Sequence, residues 1–382
     1  MHKNRPIAQV ASSLLLGTVA LLFANRAAAV APIGDDAELF ITGVVQASYN
    51  DNIFLSHTHD KADEIYDLTP GLSYEFGKGQ AQMTGKLAAY EDFQEFSSGG
   101  NLNRSLANVV SNVAYDDSKT KFDFNADLHQ VDQAERDISN VDYLVDRTLY
   151  DAGGSAEVQA TQNSSFGAGV TWDDTVYHHA GYVDFQTTTV PVDYYFKVEP
   201  KLDLSVGFRY RDNLLGKGGI GSKDYYYNVG ARGEFTPDLT GEIDVGYNTQ
   251  KMAVGNTSFD GLGVDSRFIY AVSAKSSVDF GLNDDFSYDA LGSAYRSVGP
   301  FIGFTTALDP QWSVSGRATY GQYSYLTQSR KDNFTTLQAG VSYLVSANVT
   351  VTGSYSYYKN SSSIAIFSFG NDVLSISASL HF

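Results

Sequence analysis

Val373-Leu374-Ser375-Ile376-Ser377-Ala378-Ser379-Leu380-His381-Phe382 ends the sequence. Leu374, Ile376, Ala378, Leu380 and Phe382 occupy every second position, with serines and His381 between them. A period of two places the apolar set on one face of an extended strand and the polar set on the other. The same alternation runs back through the chain. Tyr66, Leu68, Pro70, Leu72, Tyr74 and Phe76 interleave with Asp67, Thr69, Gly71, Ser73 and Glu75. Leu204, Val206, Phe208 and Tyr210 interleave with Ser205, Gly207, Arg209 and Arg211. From residue 39 onward no stretch carries a convincing helical period.

The breaks in this pattern are of two kinds. Short polar turns fall near 77–80, 116–120, 161–164, 199–203, 236–239, 275–278, 307–311 and 346–348. Between them lie longer polar connections near 50–62, 96–104, 133–146, 173–186, 212–223, 251–263, 289–294, 326–332 and 359–370. Eight turns alternating with nine loops predict about 18 strands, with 16 as the alternative, and put both ends of the barrel on the short-turn side. Short turns at one end and long loops at the other are the asymmetry of an antiparallel transmembrane outer-membrane β-barrel, with periplasmic turns and extracellular loops.

The apolar face supports a membrane solution over a soluble sandwich. It carries Phe76, Tyr115, Phe122, Phe166, Phe196, Phe235, Phe280 and Tyr343 toward the turns. It carries Tyr49, Tyr66, Tyr150, Trp172, Tyr210, Tyr225, Phe268, Tyr320 and Tyr357 toward the loops, with small or aliphatic residues such as Val206 and Val245 between. Amphipathic rings settle at the headgroup layer, so two girdles mark two interfaces. Tyr (26) and Phe (23) are abundant, Gly reaches 35, and charged residues are only 18% of the 382 residues. A soluble sheet protein would carry more Lys and Glu on its second face.

The start of the sequence reads as a secretory leader over 1–29. His2-Lys3-Asn4-Arg5 is basic, Val10–Ala24 is apolar, and Ala27-Ala28-Ala29 supplies small residues for cleavage. Residues 30–38 are then a short periplasmic segment and 39–382 the barrel, one domain. Such a segment is too short for a plug or a polypeptide-transport module. Removing Lys3, Arg5 and Arg26 leaves 23 bases against 44 acids, a formal charge of −21. That balance excludes nucleic acid as a partner. The absence of Cys excludes a disulfide framework and a thiolate metal site.

The closing stretch resembles the strand signal that the barrel-assembly machinery reads in bacterial outer-membrane proteins, with Leu374, Ile376, Leu380 and Phe382 as its apolar positions. Leu380 stands where an aromatic is usual. The first hairpin resembles a narrower group. Asp51-Asn52-Ile53-Phe54, followed by Pro70-Gly71-Leu72, is similar to the pattern of the putative β-barrel porin type 2 family. The resemblance implies an outer-membrane barrel, often linked to exopolysaccharide or capsule loci, without fixing a substrate. It covers the first fifth of the chain, and Asn52 and Pro70 are expected to set backbone geometry.

No catalytic constellation is expected: G-x-S-x-G, H-E-x-x-H and Gly-rich phosphate loops are missing. His57, His59, Asp60, His178 and His179 are expected to be ordinary loop residues, so neither a metal nor a cofactor is predicted. The loop acids Asp51, Asp60, Asp63, Glu64, Asp132, Glu135, Asp137, Asp142, Asp173 and Asp174 read as a solvated surface, with cation bridges to lipopolysaccharide as the other reading. The lumen is more informative. Asp67, Glu75, Asp123 and Asp127 come early, and Arg209, Arg211, Arg232, Arg267 and Arg317 come later. Two facing walls of opposite charge would set up a transverse field across a pore. Structural ion pairs filling the lumen are the competing reading. The expected function is a passive, porin-like channel in the outer membrane of a Gram-negative bacterium for small hydrophilic solutes or oligosaccharides. A non-conducting accessory barrel in polysaccharide secretion is the rival, and an outer-membrane lipid-modifying enzyme a distant third. Outer-membrane lipid and lipopolysaccharide, the assembly machinery and the solutes themselves are the partners implied.

Overall fold

A computed structural model describes residues 31–32, 36–58, 60–77, 81–137, 141–216 and 218–382. The predicted leader at 1–29 and its cleavage site, part of the 30–38 segment, and His59 lie outside the described residues.

The described residues form nineteen strands. The first are β1 (Ala31–Pro32), β2 (Ala37–Asn50), β3 (Asp63–Phe76), β4 (Met83–Phe96), β5 (Arg104–Asp116) and β6 (Thr120–Gln133). Then come β7 (Val145–Thr161), β8 (Ser164–Tyr177), β9 (Phe185–Glu199), β10 (Leu202–Leu215), β11 (Ser222–Thr236) and β12 (Leu239–Met252). The last are β13 (Ser258–Ser273), β14 (Ser276–Tyr288), β15 (Ala294–Ala307), β16 (Trp312–Tyr325), β17 (Lys331–Ser346), β18 (Val349–Ser362) and β19 (Phe369–His381). Each strand from β2 to β19 pairs antiparallel with its sequence neighbour, and β19 pairs with β2, so 18 strands close into a barrel. β1 adds two residues beside β2, with Ala31 opposite Leu39. The barrel begins at Ala37, two residues before the expected 39.

The two kinds of connection are where the pattern put them. Turns occupy 117–119, 162–163, 200–201, 237–238, 274–275, 308–311 and 347–348, and the opposite end carries loops such as 51–62 and 134–144. Asp117 shows what makes such a turn. Its carboxylate accepts the backbone N–H groups of Lys119 (2.7 Å) and Thr120 (2.6 Å), which holds its pKa below the usual carboxylate range. Strands of 13 to 17 residues exceed the ~9–11 needed to cross a bilayer, so they project beyond it. This is why Asp173 and Asp174, expected in a loop, lie within β8.

The apolar face points outward. Val206 and Val229 are each 61% exposed, and Leu72, Ile302 and Leu374 are similarly bare. In water this would be an aggregation surface; in hydrocarbon it is the solvated side. Aromatics touch along both rims: Tyr210 with Tyr225 (5.6 Å) toward the loops, Phe166 with Tyr194 (5.0 Å) toward the turns. Phe268 was expected in the loop-side girdle. It sits in the turn-side one, 5.5 Å from Phe280 and 5.3 Å from Phe235, because the loop before β13 shrinks to 253–257.

Inside, small residues make room for polar ones. A Cβ at Gly207 would fall 2.2 Å from the Asp193 carboxylate, and one at Gly230 would fall 2.0 Å from that of Asp244. Gly71 is needed for a similar reason, since a Cβ there would meet Thr42 and Tyr90 at 2.8 Å. The buried apolar clusters lie at the ends of the molecule. Ile53, Phe54, Phe96, Leu102 and Leu144 pack under the loops, and Val349, Leu380 and Phe382 pack at the turn side of the closing strand.

In this register Leu337→Arg, on the lipid face near the middle of β17, should lower unfolding stability by ~2–4 kcal/mol. Its neighbour Gln338 points to the lumen, and Gln338→Arg should cost under about 1 kcal/mol despite the nearby Arg317. Denaturant titration in lipid vesicles measures both; equal costs would mean the faces are misassigned.

Candidate functional site

The sequence-predicted charges reach the lumen from different arcs of the ring. Asp67 and Glu75 are on β3, Asp123 and Asp127 on β6, and the arginines on β10, β11, β13 and β16. The arginines do not form a free wall. Arg209 bonds Asp285 (2.8 Å), and Arg211 grips the same carboxylate with two N–H groups at 3.0 Å while also reaching Asp224 (2.8 Å). Arg232 bonds Glu157 (2.7 Å) and lies 3.3 Å over the Tyr195 ring. Arg317 bonds Asp279 (2.8 Å) and lies 4.4 Å over Phe301. Arg267 is exposed opposite Glu242 in the register and makes no ion pair among the described residues. Arg211 to Asp285 and Arg232 to Glu157 each connect strands four apart in the ring, so these side chains cross the interior and narrow it. The transverse field of an arginine wall is therefore largely cancelled in place.

The early acids are less neutralised. Glu75 pairs with Lys86 (3.3 Å), and Asp127 accepts the Ser111 N–H (3.0 Å). Asp67 accepts one amide proton from Gln46 (3.0 Å), and Asp123 is exposed.

Sequence reasoning missed the loop between β6 and β7. Read as polar and solvated, it instead reaches the wall half a ring away. The Arg136 guanidinium lies 3.8 Å over Tyr323 and 5.2 Å over Tyr295. Asp137, 3% exposed, accepts from the Tyr325 hydroxyl (2.8 Å) and stands 3.5 Å from Arg330. Arg330 is itself buried, bonded to Asp332 and stacked 3.7 Å from Phe367. On the near side Tyr143 stacks on His179 (4.6 Å) and accepts from Tyr182 (3.3 Å). Aromatic residues on the inward face of β15 and β16 were the only sequence signal for this docking.

Two more acids that the sequence reading placed in loops are not solvated. Asp63 accepts from the Ser97 hydroxyl (2.7 Å) and the Ser98 N–H (3.1 Å), and Asp132 is buried against Arg104. Their burial corrects the reading of these positions as a solubilising surface: both stand at the loop-side ends of strands, Asp63 opening β3 and Asp132 near the end of β6, where Ser97, Ser98 and Arg104 cover them. The histidines have separate partners. His57 contacts the Ser368 carbonyl (2.6 Å), His178 bonds Thr148 (2.8 Å), and among the described residues no three metal-ligating side chains converge.

Beneath the docked loop lies a cavity of about 890 Å³. Asp67, Asp92, Gln46 and Gln94 of β2–β4 line one side, Asp289 and Tyr295 the other, and Tyr358 of β18 the wall between them. Burial, reinforced by the charge of Asp137, pushes Asp289 up to about 6. A smaller cavity of about 200 Å³ lies at the turn end, between Lys119, Asn163, Tyr195 and Arg232.

The first loop clasps the barrel seam. Asn52 is 1% exposed; its side-chain amide donates to the carbonyls of Ser56 and Gly370, both at 2.9 Å, and its Oδ1 accepts the Ser56 N–H. Asn371 donates to Asn50 (2.6 Å), and Asp51 accepts the Asp372 N–H (2.7 Å). At the other end Ile41 and Phe382 exchange backbone hydrogen bonds of 2.7 and 2.9 Å. Leu374 and Ile376 face outward, 60% and 46% exposed, whereas Leu380 and Phe382 pack on Val349.

The family described as Putative beta-barrel porin 2 matches residues 44–382. No curated protein matches the chain. Among solved structures, the chain is similar to OpdK from Pseudomonas aeruginosa with vanillate, at 12% identity and a TM-score of 0.50, covering 90% of this chain and 99% of that one. It is also similar to the apoprotein of the FrpB iron transporter from Neisseria meningitidis, at 10% identity and a TM-score of 0.50, covering 86% of this chain and 62% of that one. The chain thus spans less than two thirds of the FrpB transporters it matches. At such identities the likeness is one of fold: an outer-membrane barrel.

The Asp289 shift gives the docked loop a pH dependence. An acid whose folded pKa is raised favours the folded state at low pH, and that contribution is lost as pH rises through about 6. Hydrogen exchange at 134–137 and 289–293, corrected for intrinsic rates, should show protection falling from about pH 4 and levelling off above about pH 6. Asp289→Asn should flatten the profile; a profile unchanged by that substitution would remove Asp289 from the docking.

Proposed function

The chain belongs to the Putative beta-barrel porin 2 family, and from that membership and its outer-membrane barrel fold we propose a passive, porin-like channel for small hydrophilic solutes or oligosaccharides. The supporting observation is the polar cavity of about 890 Å³ inside the loop end, with a second polar cavity at the turn end. Solute would move down its gradient between them, past the ion-paired arginines. An interior lined by amides, carboxylates and phenols suits hydroxyl-rich solutes, which exchange hydrogen bonds with water for hydrogen bonds with the wall. The protein is in the outer membrane of a Gram-negative bacterium, so lipid surrounds the strands. Lipopolysaccharide at the loop rim and the assembly machinery acting on Leu374, Ile376, Leu380 and Phe382 are the partners this reading implies. Residues 1–29 would serve as the export leader.

A second reading has an observation of its own. Ion pairs linking strands four apart, together with a loop bonded across the mouth, favour a non-conducting accessory barrel in polysaccharide secretion.

Planar bilayers separate the two. The channel reading expects stepwise conductance from the purified protein. Arg267→Gln should shift the reversal potential toward cations, more at low salt, because this guanidinium is exposed and has no ion-pair partner among the described residues. Arg211→Gln should leave selectivity nearly unchanged yet destabilise the barrel by ~3–5 kcal/mol, since Asp224 and Asp285 lose their shared cation. Absence of conductance would favour the accessory barrel.

A further inference from the structure

The large cavity has more acid than it neutralises. Of its carboxylates, Asp132 is held by Arg104, Glu135 by Arg147, and Asp137 by Arg136 and Arg330. Asp67 and Asp92 have no cationic partner among the described residues, and Asp289 makes no ion pair there, with only the Arg330 charge acting on it from beyond salt-bridge distance. Asp67 and Asp92 belong to adjacent strands on one wall, while Asp289 enters from the loop after β14 on the far side. Their charges therefore bound the cavity from two directions.

Hydrogen bonding carries the same sign. Oδ1 of Asp67, Oδ1 of Asp132 and Oδ2 of Asp289 are buried without a partner, and Asp132 and Asp289 are only 6% and 3% exposed. All three are acceptors, against one lining donor in the same state, the Tyr288 hydroxyl, and a buried acceptor left unmade costs ~1–3 kcal/mol, so the balance favours an occupant that donates. Gln46 and Gln94 each give one amide proton to a carboxylate, at 3.0 and 2.9 Å, and have no other partner among the described residues. Each therefore has one further donor and one acceptor to offer a hydroxyl. The rings of Tyr90 and Tyr358 also line the cavity and supply flat apolar faces. Its volume lies within the roughly 300–1,000 Å³ typical of small-molecule sites.

We propose that this cavity is a recognition subsite for a cationic sugar, an amine-bearing saccharide whose ammonium groups sit against Asp67, Asp92 and Asp289 and whose hydroxyls meet Gln46 and Gln94. This rests on the channel reading and names its substrate class. A neutral sugar would satisfy the amides and leave the carboxylates uncompensated, and an anionic one would be repelled. An ammonium both neutralises and donates, and its charge-assisted bonds are about twice as strong as neutral ones.

Calorimetric titration of the detergent-folded full chain with the glucosamine trimer, beside the N-acetylglucosamine trimer, tests the proposal without requiring current to flow. A barrel that conducts nothing would then count against the channel and not against the subsite. The amine form should bind at least about tenfold more tightly, and the preference should shrink at high salt. The Asp67→Asn, Asp92→Asn pair should remove about tenfold or more of that affinity while heat-modifiable gel mobility reports an intact barrel. If the pair does not fold, Asp289→Asn, placed in a loop, should weaken binding in the same direction. Equal affinity for both trimers, no binding of either, or amine binding indifferent to these substitutions would overturn the proposal.

Discussion

Everything in this molecule depends on closing the sheet. In hydrocarbon no water can pair an exposed N–H or C=O, so an open edge along eighteen strands would leave a full row of unpaired groups. β19 must therefore find β2, the partner furthest from it in sequence. The structure fastens that seam at both ends. Ile41 and Phe382 exchange backbone bonds on the turn side. On the loop side Asn52, Asn371 and Asp51 bind the start of β19 to the loop after β2. The Asp51-Asn52-Ile53-Phe54 motif is thus explained by mechanics: its polar residues clasp the seam, and Ile53 and Phe54 anchor the loop in an apolar cluster.

Closure also turns the usual arrangement inside out. Aliphatic side chains face outward and polar ones inward, so buried apolar clusters form only under the loops and beside the seam. Inside, charges concentrated in a narrow space pair across it. Arg211 holds two carboxylates, and Arg232 reaches Glu157 over the intervening strands. The far wall receives the loop after β6 through Asp137 and Arg136. What is left open is an acidic, amide-lined chamber.

Strands, turns and the outward face were legible because each depends only on neighbours in sequence. Val206 points out and Ser205 in as a consequence of the period alone. The first errors arose where strands outlast the membrane: Asp173 and Asp174 are polar enough to read as loop, yet a strand beyond the bilayer pays nothing for them. Lumen pairing was beyond local reading. Nothing near Arg211 in sequence announces Asp285, since their meeting depends on how the whole ring curves. For the same reason the arginines, taken alone, read equally as a charged wall and as members of ion pairs. Asp137 was misread because a buried loop acid and a solvated one have the same sequence appearance until their partners, here Tyr325 and Arg330, are brought close.

The seam can be tested directly, because the chain has no cysteine of its own. Ala47 and Ile376 are cross-strand partners of β2 and β19. The Ala47→Cys, Ile376→Cys pair, oxidised in isolated outer membranes, should form an internal disulfide that changes denatured gel mobility and reverts with reductant. Val45→Cys with Ile376→Cys, two residues out of register, should not. No cross-link in the first pair, or equal cross-linking in both, would contradict a barrel closed in this register.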